Sequence, residues 1–287
     1  MEDNNKIHLD QLAPFKDINE ILEFFRSGII FIFKKNLIGI YLTGSLSYGA
    51  FHYDRSDIDL TVILKNPVSP GELEAIKNFH KQIEEKFNKW AKRLECSYTP
   101  IEMLPNILPP KKPRPWYWGG EGFLYEEAPY GNEWIINNYL LYQHAIPLVG
   151  PNFKELTGPI DMEEVQKACI LDLFTEWEPK IANRDWLDDN HNESYFILNL
   201  CRILYTVMCK SAGSKDTATA WVKNKYGTWA DVINSAEQWH YGVELNFRAK
   251  TSEFLGFVID QVAKTELFNQ LLDEINSIRA LHHPIQS

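Results

Sequence analysis

Two aspartates separated by one residue are the most chemically informative feature of this sequence. Asp57 and Asp59 stand immediately before an apolar run, Leu60 to Leu64. Because alternate side chains of a strand point to the same side, the spacing predicts that both carboxylates project together while Ile58 turns into the core. Two such carboxylates repel each other unless a cation lies between them, and Mg²⁺ takes carboxylate, water and phosphate oxygens. The pair therefore predicts a magnesium site.

A glycine and a serine precede the two aspartates. Gly44 and Ser45 follow a second apolar run, Ile38 to Leu42, which reads as a buried strand. Glycine lets the backbone come close to a ligand, and exposed N–H groups in such a turn suit phosphate oxygens. Together with the aspartates, this turn predicts a site for a metal-bound nucleotide.

A third carboxylate is expected from Glu95, at the start of a predicted strand over residues 94–100. A charged residue entering a central strand is unexpected, because a buried carboxylate without a partner is costly. If this strand lies beside the one with the aspartates, Glu95 joins the metal site and acts as general base. The alternative is a strand-end glutamate in water, and the competing acid is Glu102.

Amphipathic helices are expected on either side of the second strand. Apolar residues recur at spacings of three and four over residues 8–35, which predicts one helix or two. The turn residues Ser69, Pro70 and Gly71 predict the start of another helix over residues 72–93. These helices should pack on the sheet that carries the carboxylates.

The segment over residues 104–131 is rich in proline, glycine and aromatic residues. So long an irregular segment in a compact protein predicts a functional loop or lid. Its tryptophans and tyrosine could stack on a base or a sugar, or could pack two domains together. The residues concerned are Trp116, Tyr117 and Trp118, and the nearby acids that could meet ammonium groups are Glu121, Glu126 and Glu127.

Beyond this segment the pattern is helical. A polar loop over residues 179–192 interrupts it. We expect an α+β protein, with an N-terminal mixed sheet covered by helices over residues 1–150 and an all-helical domain over residues 151–287. Helices are predicted over residues 133–145, 161–175, 194–210, 217–225, 229–241 and 253–278.

The composition of the chain limits the classes of molecule that it is expected to bind. The formal net charge is -10, which argues against a nucleic acid, because phosphate backbones are bound by an excess of lysine and arginine. An acidic surface favours a small cationic substrate. The four cysteines have no metal-ligand spacing, and no apolar run is long enough to span a membrane. We expect a cytoplasmic monomer.

The first motif resembles the signature of the nucleotidyltransferase superfamily that includes DNA polymerase beta. That signature is Gly-Ser, a short spacer and Asp-x-Asp on the next strand, as in Gly44-Ser45 and Asp57-Ile58-Asp59. The second half is similar to the aminoglycoside (3'')(9) adenylyltransferases. The segments that carry this similarity are Leu148 to Pro151, Leu198 to Ile203, Ser214 to Asp216, Ala220-Trp221 and Tyr241-Gly242.

This resemblance implies transfer of AMP from ATP to a hydroxyl of streptomycin or spectinomycin, with two Mg²⁺ ions. It assigns Asp57, Asp59 and Glu95 to the metal. The implied nucleotide contacts are Gly44, Ser45, Ser56, Arg202, Lys215 and Tyr241. The implied acceptor contacts are Trp118, Trp177, Asp185, Asp189 and Asn192.

The acceptor residues depart from the family pattern. Asn192 stands where the family has an aspartate, which Asp188 or Asp189 could replace. The loop between Trp177 and Asp185 is longer here, and the tryptophan expected after Glu95 is Trp116 or Trp118. Nucleotide chemistry is therefore better supported than the identity of the acceptor.

Three alternatives follow from these departures. The first is the same chemistry on another acceptor, such as a different aminoglycoside, a lincosamide, or a protein side chain as in toxin–antitoxin nucleotidyltransferases. The second is a polymerase-like enzyme acting on RNA ends, which the acidic balance disfavours. The third is a nucleotide-binding module without catalysis, which the three carboxylates disfavour.

Overall fold

A six-stranded mixed sheet is the centre of the first of two units in this computed structural model. The structure describes residues 13–104, 114–128, 130–182, 189–241, 243–244 and 248–282. By their contacts, the first unit is drawn from residues 1–52, 56–130 and 138–159, and the second from 53–55, 131–137 and 160–287. The expected boundary after residue 150 stays a prediction.

The strands lie in the order β5-β4-β3-β2-β1-β6. The β2–β3 pair is parallel, and the four other pairs of the described sheet are antiparallel. The α+β class and the three strands predicted around the carboxylates are confirmed. The strands are β1 (Leu37–Thr43), β2 (Ile58–Leu64), β3 (Leu94–Pro100), β4 (Arg114–Trp118), β5 (Phe123–Ala128) and β6 (Ile146–Val149).

Two amphipathic helices pack on one face of this sheet: α1 (Lys16–Phe33) and α2 (Pro70–Lys86). Helix α1 buries an apolar stripe, and α2 begins with a capping box in which Ser69 and Glu72 satisfy each other's backbone N–H groups. Each large side chain buried here contributes about 1.5–3 kcal/mol. The predicted residues 8–12 of the first helix lie outside the described residues.

At one end, a buried cluster of apolar side chains covers the opposite face of the sheet. There Tyr41 and Ile63 pack with Leu104, Leu141 and Phe153 in a buried cluster. Leu141 comes from α3 (Glu133–His144). The other end of this face carries the carboxylates described below.

The prediction of an irregular loop over residues 104–131 is wrong for its second part. Residues 114–118 and 123–128 are paired as the antiparallel hairpin β4–β5, and β4 pairs with β3. The aromatic residues alternate between the two faces of the sheet, and this period of two is the signal of a strand. Prolines and glycines around it hid the pattern. Residues 105–113 lie outside the described residues.

The second unit is helical in the part of it that the structure describes. A π-helical turn, Leu173–Trp177, extends its first helix. The prediction of a single helix over 253–278 is wrong, since three helices stand there, and the helix predicted from residue 194 begins at Asn190. The helices are α4 (Met162–Asp172), α5 (Asn190–Cys209), α6 (Lys215–Lys225), α7 (Ala230–Gln238), α8 (Arg248–Val262), α9 (Glu266–Gln270) and α10 (Leu272–His282).

None of the helices within the described ranges combines the length and the apolar character that crossing a membrane requires.

Candidate active site

Glu95 and Asp59 are direct neighbours in the parallel strands β3 and β2. The register pairs Asp59 with Glu95, and on its other side Asp59 is opposite Thr43 of β1. Paired residues of adjacent strands project from the same face, with strands about 4.8 Å apart. The prediction that the strand of Glu95 lies beside that of the aspartates is therefore confirmed. Two carboxylates at this spacing form a site that attracts a cation.

Gly44 brings the turn after β1 against one of these carboxylates. It has a φ of +62°, and a Cβ built on it would lie 1.8 Å from Oδ2 of Asp59. Only glycine fits this position, because any side chain would displace the carboxylate. Ser45 follows in the one-turn helix Gly44–Ser47, and its carbonyl accepts a hydrogen bond from Ala50 N–H at 2.9 Å. The turn and the Asp59 carboxylate therefore lie next to each other at the end of β1.

Asp57 lies beside a buried arginine. Its Oδ1 is 3.8 Å from Nε of Arg93, which is 5% exposed. The Arg93 guanidinium also donates to the carbonyl of Ser56 and lies 4.5 Å over the Trp90 ring. Ile58 N–H donates to the Arg93 carbonyl at 2.7 Å. Arg93 therefore fixes the backbone that presents both aspartates.

Sequence reasoning did not single out Arg93. The signal available was a basic residue directly before the buried strand β3, where a buried charge needs a partner. Ser56, predicted as a nucleotide contact, lies in the same loop, and its hydroxyl accepts from His52 N–H at 2.9 Å.

The carboxylates suit Mg²⁺ in chemistry and in backbone placement. Asp59 and Glu95 share a face and Asp57 is two residues upstream of Asp59, so hard oxygen donors stand together, and water and phosphate would complete the shell. Within the described residues, no three His, Cys, Asp or Glu side chains converge closely enough to hold a metal ion by themselves. The pairing of Asp59 with Glu95 suits a cation, whereas binding of one ion by all three carboxylates stays a prediction.

Trp118 is the cross-strand neighbour of Glu95 on the side away from Asp59. Its ring is half-buried and stacks on that of Trp116, with centroids 6.2 Å apart and planes at 10°. Both tryptophans considered for the acceptor contact therefore lie on the face that carries Glu95. Trp118 is the nearer of the two to the carboxylate in the register.

In the second unit, predicted site residues meet around Tyr195 on α5. Lys215 lies with its Nζ 4.6 Å over the Tyr195 ring, and Trp177 packs on the same ring with centroids 5.7 Å apart. The Tyr241 ring stacks on that of His191, one turn before Tyr195, at 5.8 Å and 18°. Three of the predicted residues are thus brought together. Neither His191 nor Tyr195 was singled out from the sequence. His191 fell in the predicted polar loop, and Tyr195 was only one of many residues of a predicted helix.

Trp177 is held from inside the helical unit. It is 7% exposed, and its indole Nε1 donates to Oδ2 of Asp172 at 2.7 Å. Burial raises the pKa of the Asp172 carboxyl to about 7, and the indole hydrogen bond opposes this rise. A π-helical turn separates the two residues, and such turns are frequent at functional sites. The structure therefore gives Trp177 a fixed orientation.

Arg202 lies on the same face of α5 as Tyr195, two turns and about 10 Å further along. It is half-buried and close enough to the buried Cys169 thiol to counteract the raised pKa that burial gives this group. Asp189 caps α5, because its carboxylate accepts from Asn192 N–H at 3.0 Å. Asn192 is therefore part of the helix rather than of a loop. Asp185 lies outside the described residues.

Two family models match the chain. The model of the nucleotidyltransferase domain matches residues 20–104. The model of the aminoglycoside adenylyltransferase C-terminal domain matches residues 155–265. The first range contains the turn at Gly44 and all three carboxylates, and the second contains Trp177, Arg202, Lys215 and Tyr241.

Curated relatives are similar over part of the chain. It is 27% identical over 126 residues to an aminoglycoside (3'')(9) adenylyltransferase of Klebsiella pneumoniae, which is 42% of this chain and 45% of that protein. The enzyme of the same name from Escherichia coli is 29% identical over 127 residues, 42% of this chain and 46% of that protein. The chain thus matches slightly less than half the length of these relatives.

A solved structure has the same fold. It is the spectinomycin adenyltransferase AAD(9) from Enterococcus faecialis, crystallised with ATP and spectinomycin. The superposition has a TM-score of 0.65 at 19% identity and covers 88% of this chain and 100% of that one. The resemblance drawn from the sequence motifs is confirmed: the chain combines a nucleotidyltransferase domain with an aminoglycoside adenylyltransferase C-terminal domain.

Proposed function

We propose that this protein transfers AMP from ATP to a hydroxyl group of streptomycin, spectinomycin or both, and so confers resistance. The observation that carries the proposal is the adjacency of Asp59 and Glu95 beside the turn at Gly44. The match to the aminoglycoside adenylyltransferase C-terminal domain and the ATP and spectinomycin bound to the neighbour of like fold support it.

Glu95 is the proposed general base. The acceptor hydroxyl oxygen attacks the α-phosphorus of ATP as the bond to the pyrophosphate oxygen breaks, and its proton passes to the Glu95 carboxylate. Asp57 and Asp59 would hold Mg²⁺, whose charge favours the binding of the phosphate oxygens. The products are the adenylylated acceptor and pyrophosphate. Glu95 is suited to this step because it projects from the same face as Asp59.

The remaining groups bind the triphosphate and the acceptor. The turn at Gly44 and Ser45 would donate backbone N–H groups to phosphate oxygens, and Ser56 lies in the loop beside it. Arg202 and Lys215 would form charge-assisted hydrogen bonds with the triphosphate, and Tyr241 would contact the nucleotide. The cationic acceptor would meet Trp118, Trp177 and the acidic residues Asp185 and Asp189, with Asn192 beside them.

The test is pyrophosphate release from Mg·ATP with streptomycin, spectinomycin, other aminoglycosides and lincomycin. We expect release with streptomycin or spectinomycin, and a fall of about 10²–10⁴-fold in Glu95→Gln, the range for loss of a general base. The matched control is Glu102→Gln, which removes the same charge just after the same strand and should keep full activity. Equal turnover in Glu95→Gln and wild type would refute the role of Glu95.

A second candidate is the same transfer to a different acceptor. Two observations favour it: Asn192 replaces the acidic residue of the family pattern, and the Asp189 carboxylate already caps α5. Release with a different compound of the panel would support this candidate. If no compound is adenylylated and Asp57→Ala leaves ATP binding and turnover unchanged, the protein is a nucleotide-binding module without the proposed metal site.

A further inference from the structure

The hairpin β4–β5 presents four aromatic rings on one face of the sheet. We call Trp116, Trp118, Phe123 and Tyr125 the aromatic face. The register pairs Trp118 with Phe123 and Trp116 with Tyr125, so that all four project from the same side. The Trp116 ring stacks on that of Tyr125 at 5.5 Å, and the Phe123 ring meets that of Tyr125 edge-on at 4.9 Å. The rings form one continuous surface.

This surface continues the row of carboxylates. Asp59 pairs with Glu95, Glu95 with Trp118, and Trp118 with Phe123, across four neighbouring strands. At about 4.8 Å per strand, Phe123 lies about 10 Å from Glu95 in the direction across the sheet. That distance exceeds the width of one pyranose or cyclitol ring. A molecule whose hydroxyl reaches Glu95 would therefore extend a second ring over the aromatic face.

The aromatic face is not explained by the core of its own hairpin. The alternate residues, Tyr117 and Leu124, fill the buried side, whereas Phe123 is 54% exposed and the other three rings are half-buried. Cross-strand aromatic pairs contribute about 0.2–1 kcal/mol to a hairpin, which accounts for the pairing but not for the exposure. Contiguous exposed apolar surface of this kind marks binding sites.

The acidic side chains beside the aromatic face favour a cationic ligand. Glu121 accepts a hydrogen bond from the Tyr125 hydroxyl at the edge of the aromatic face. Glu127 is exposed and lies two residues after Tyr125 in β5, so both side chains project from the same side of the sheet. Glu126 lies two residues after Leu124 and therefore projects from the helix-covered face, where it forms a salt bridge with Lys77 of α2. Rings with carboxylates at both ends suit a hydroxylated ring that bears ammonium groups, through C–H and cation contacts with the π faces.

We propose that the aromatic face binds a second, cationic sugar or cyclitol ring of the acceptor, with Phe123 as its outer contact. The proposal rests on the proposed function, because it takes the reacting hydroxyl of the acceptor to lie at Glu95. It extends the acceptor site from Trp118 to Trp116, Phe123, Tyr125 and Glu121.

The experiment measures kcat and KM for streptomycin, and its binding by calorimetry, in variants of Phe123. Phe123→Leu keeps the apolar volume but removes the π face, and we expect KM and Kd to rise about 5–30-fold with kcat within twofold, the range for one or two such contacts. Phe123→Tyr keeps the ring and should restore the wild-type values. Glu121→Gln should raise KM as well.

The matched control is Phe31→Leu, since Phe31 is 75% exposed on α1 and lies on the helix-covered side. If Phe123→Leu binds and turns over streptomycin as Phe31→Leu does, the proposal is wrong. Thermal unfolding of both variants shows whether the hairpin stays intact. Failure of this proposal can be distinguished from failure of the proposed function, because a wild-type protein that adenylylates no acceptor refutes the proposed function. The aromatic face is then judged by streptomycin binding alone, and a Kd unchanged in Phe123→Leu refutes it.

Discussion

The two faces of the sheet use neighbouring residues of the same strands for different purposes. On the face covered by α1 and α2, Cys96, Tyr98 and Tyr117 are buried. His80 of α2 stacks on Tyr117 at 3.6 Å and bonds the Tyr98 hydroxyl at 2.7 Å. On the opposite face, the residues one position away are Glu95 and Trp118.

This difference shows how the fold separates stability from chemistry. A period of two places every second residue of β3 and β4 in a dry interior, where polar atoms must find partners within the protein. The alternate residues keep carboxylates and rings accessible to a ligand. A substitution should therefore damage either stability or activity, according to the face from which the side chain projects.

Apart from the loss of Glu95 itself, the largest effect is expected from Gly44→Ala. Its Cβ would meet the Asp59 carboxylate at 1.8 Å, so the carboxylate must move, and a misplacement of about 1 Å can cost about 100-fold in rate. The measurement is pyrophosphate release beside thermal unfolding. The control is Gly49→Ala, because Gly49 has a similar φ of +74° but nothing within 4 Å of the added Cβ. Equal losses in both variants would show that backbone strain, and not Asp59, is responsible.

The second prediction compares adjacent residues of β4. Tyr117→Ala should destabilise the protein by about 3–5 kcal/mol, because it opens a cavity under His80 and removes the hydrogen bond to Glu84. Trp118→Ala should cost only about 1 kcal/mol but impair acceptor binding. Denaturant unfolding and KM for the acceptor check the pair. Similar stability losses for the two variants would contradict the separation of the faces.

The third prediction concerns two buried titratable groups with opposite pH dependence. Burial lowers the pKa of His80 to about 3 in the folded protein. Below a pH of about 6.5 the imidazole is therefore protonated in the unfolded chain but not in the folded protein, and stability falls as the pH drops. Burial raises the pKa of Asp172 from 3.8 to about 7, so its folded form holds the proton and stability falls as the pH rises through this range. Each of the two groups changes the free energy of unfolding by at most about 1.4 kcal/mol per pH unit.

Unfolding curves of wild type, His80→Gln and Asp172→Asn between pH 4 and 7 test this. His80→Gln should weaken the loss of stability towards acid. Asp172→Asn keeps an acceptor for the Trp177 indole and should weaken the loss towards neutral pH. Profiles parallel to that of the wild type would show that neither group titrates as its burial implies.

Sequence patterns were sufficient for the strands that present the carboxylates. Short apolar runs bounded by turn residues predicted β1, β2 and β3, and the unexpected charge of Glu95 predicted the neighbour of β2. The hairpin β4–β5 could not be predicted in the same way, because prolines and glycines precede and interrupt it and its alternation extends over few residues. The start of α5 was missed because its first residues are polar, although Asp189 is a common cap.

The partners of the site residues were less predictable than the residues themselves. The contact of Asp57 with Arg93 joins positions far apart in the chain, and no local pattern encodes it. The same holds for Lys215 over Tyr195, which depends on how α5 and α6 pack. The aromatic residues were noted from composition, but their order beside Glu95 depends on the register of β3 and β4.

The parallel pairing of β2 with β3 has a consequence for how activity arises during folding. Antiparallel neighbours can be joined by a tight turn, but parallel strands need a crossover, here through α2. Asp59 and Glu95 therefore become neighbours only after a long loop has closed, which is a slow step because its entropy is lost before the contacts form. A chain in which β3 has not yet joined the sheet would hold the turn at Gly44 and both aspartates while lacking the proposed base, Glu95. Catalytic competence thus reports completion of the sheet.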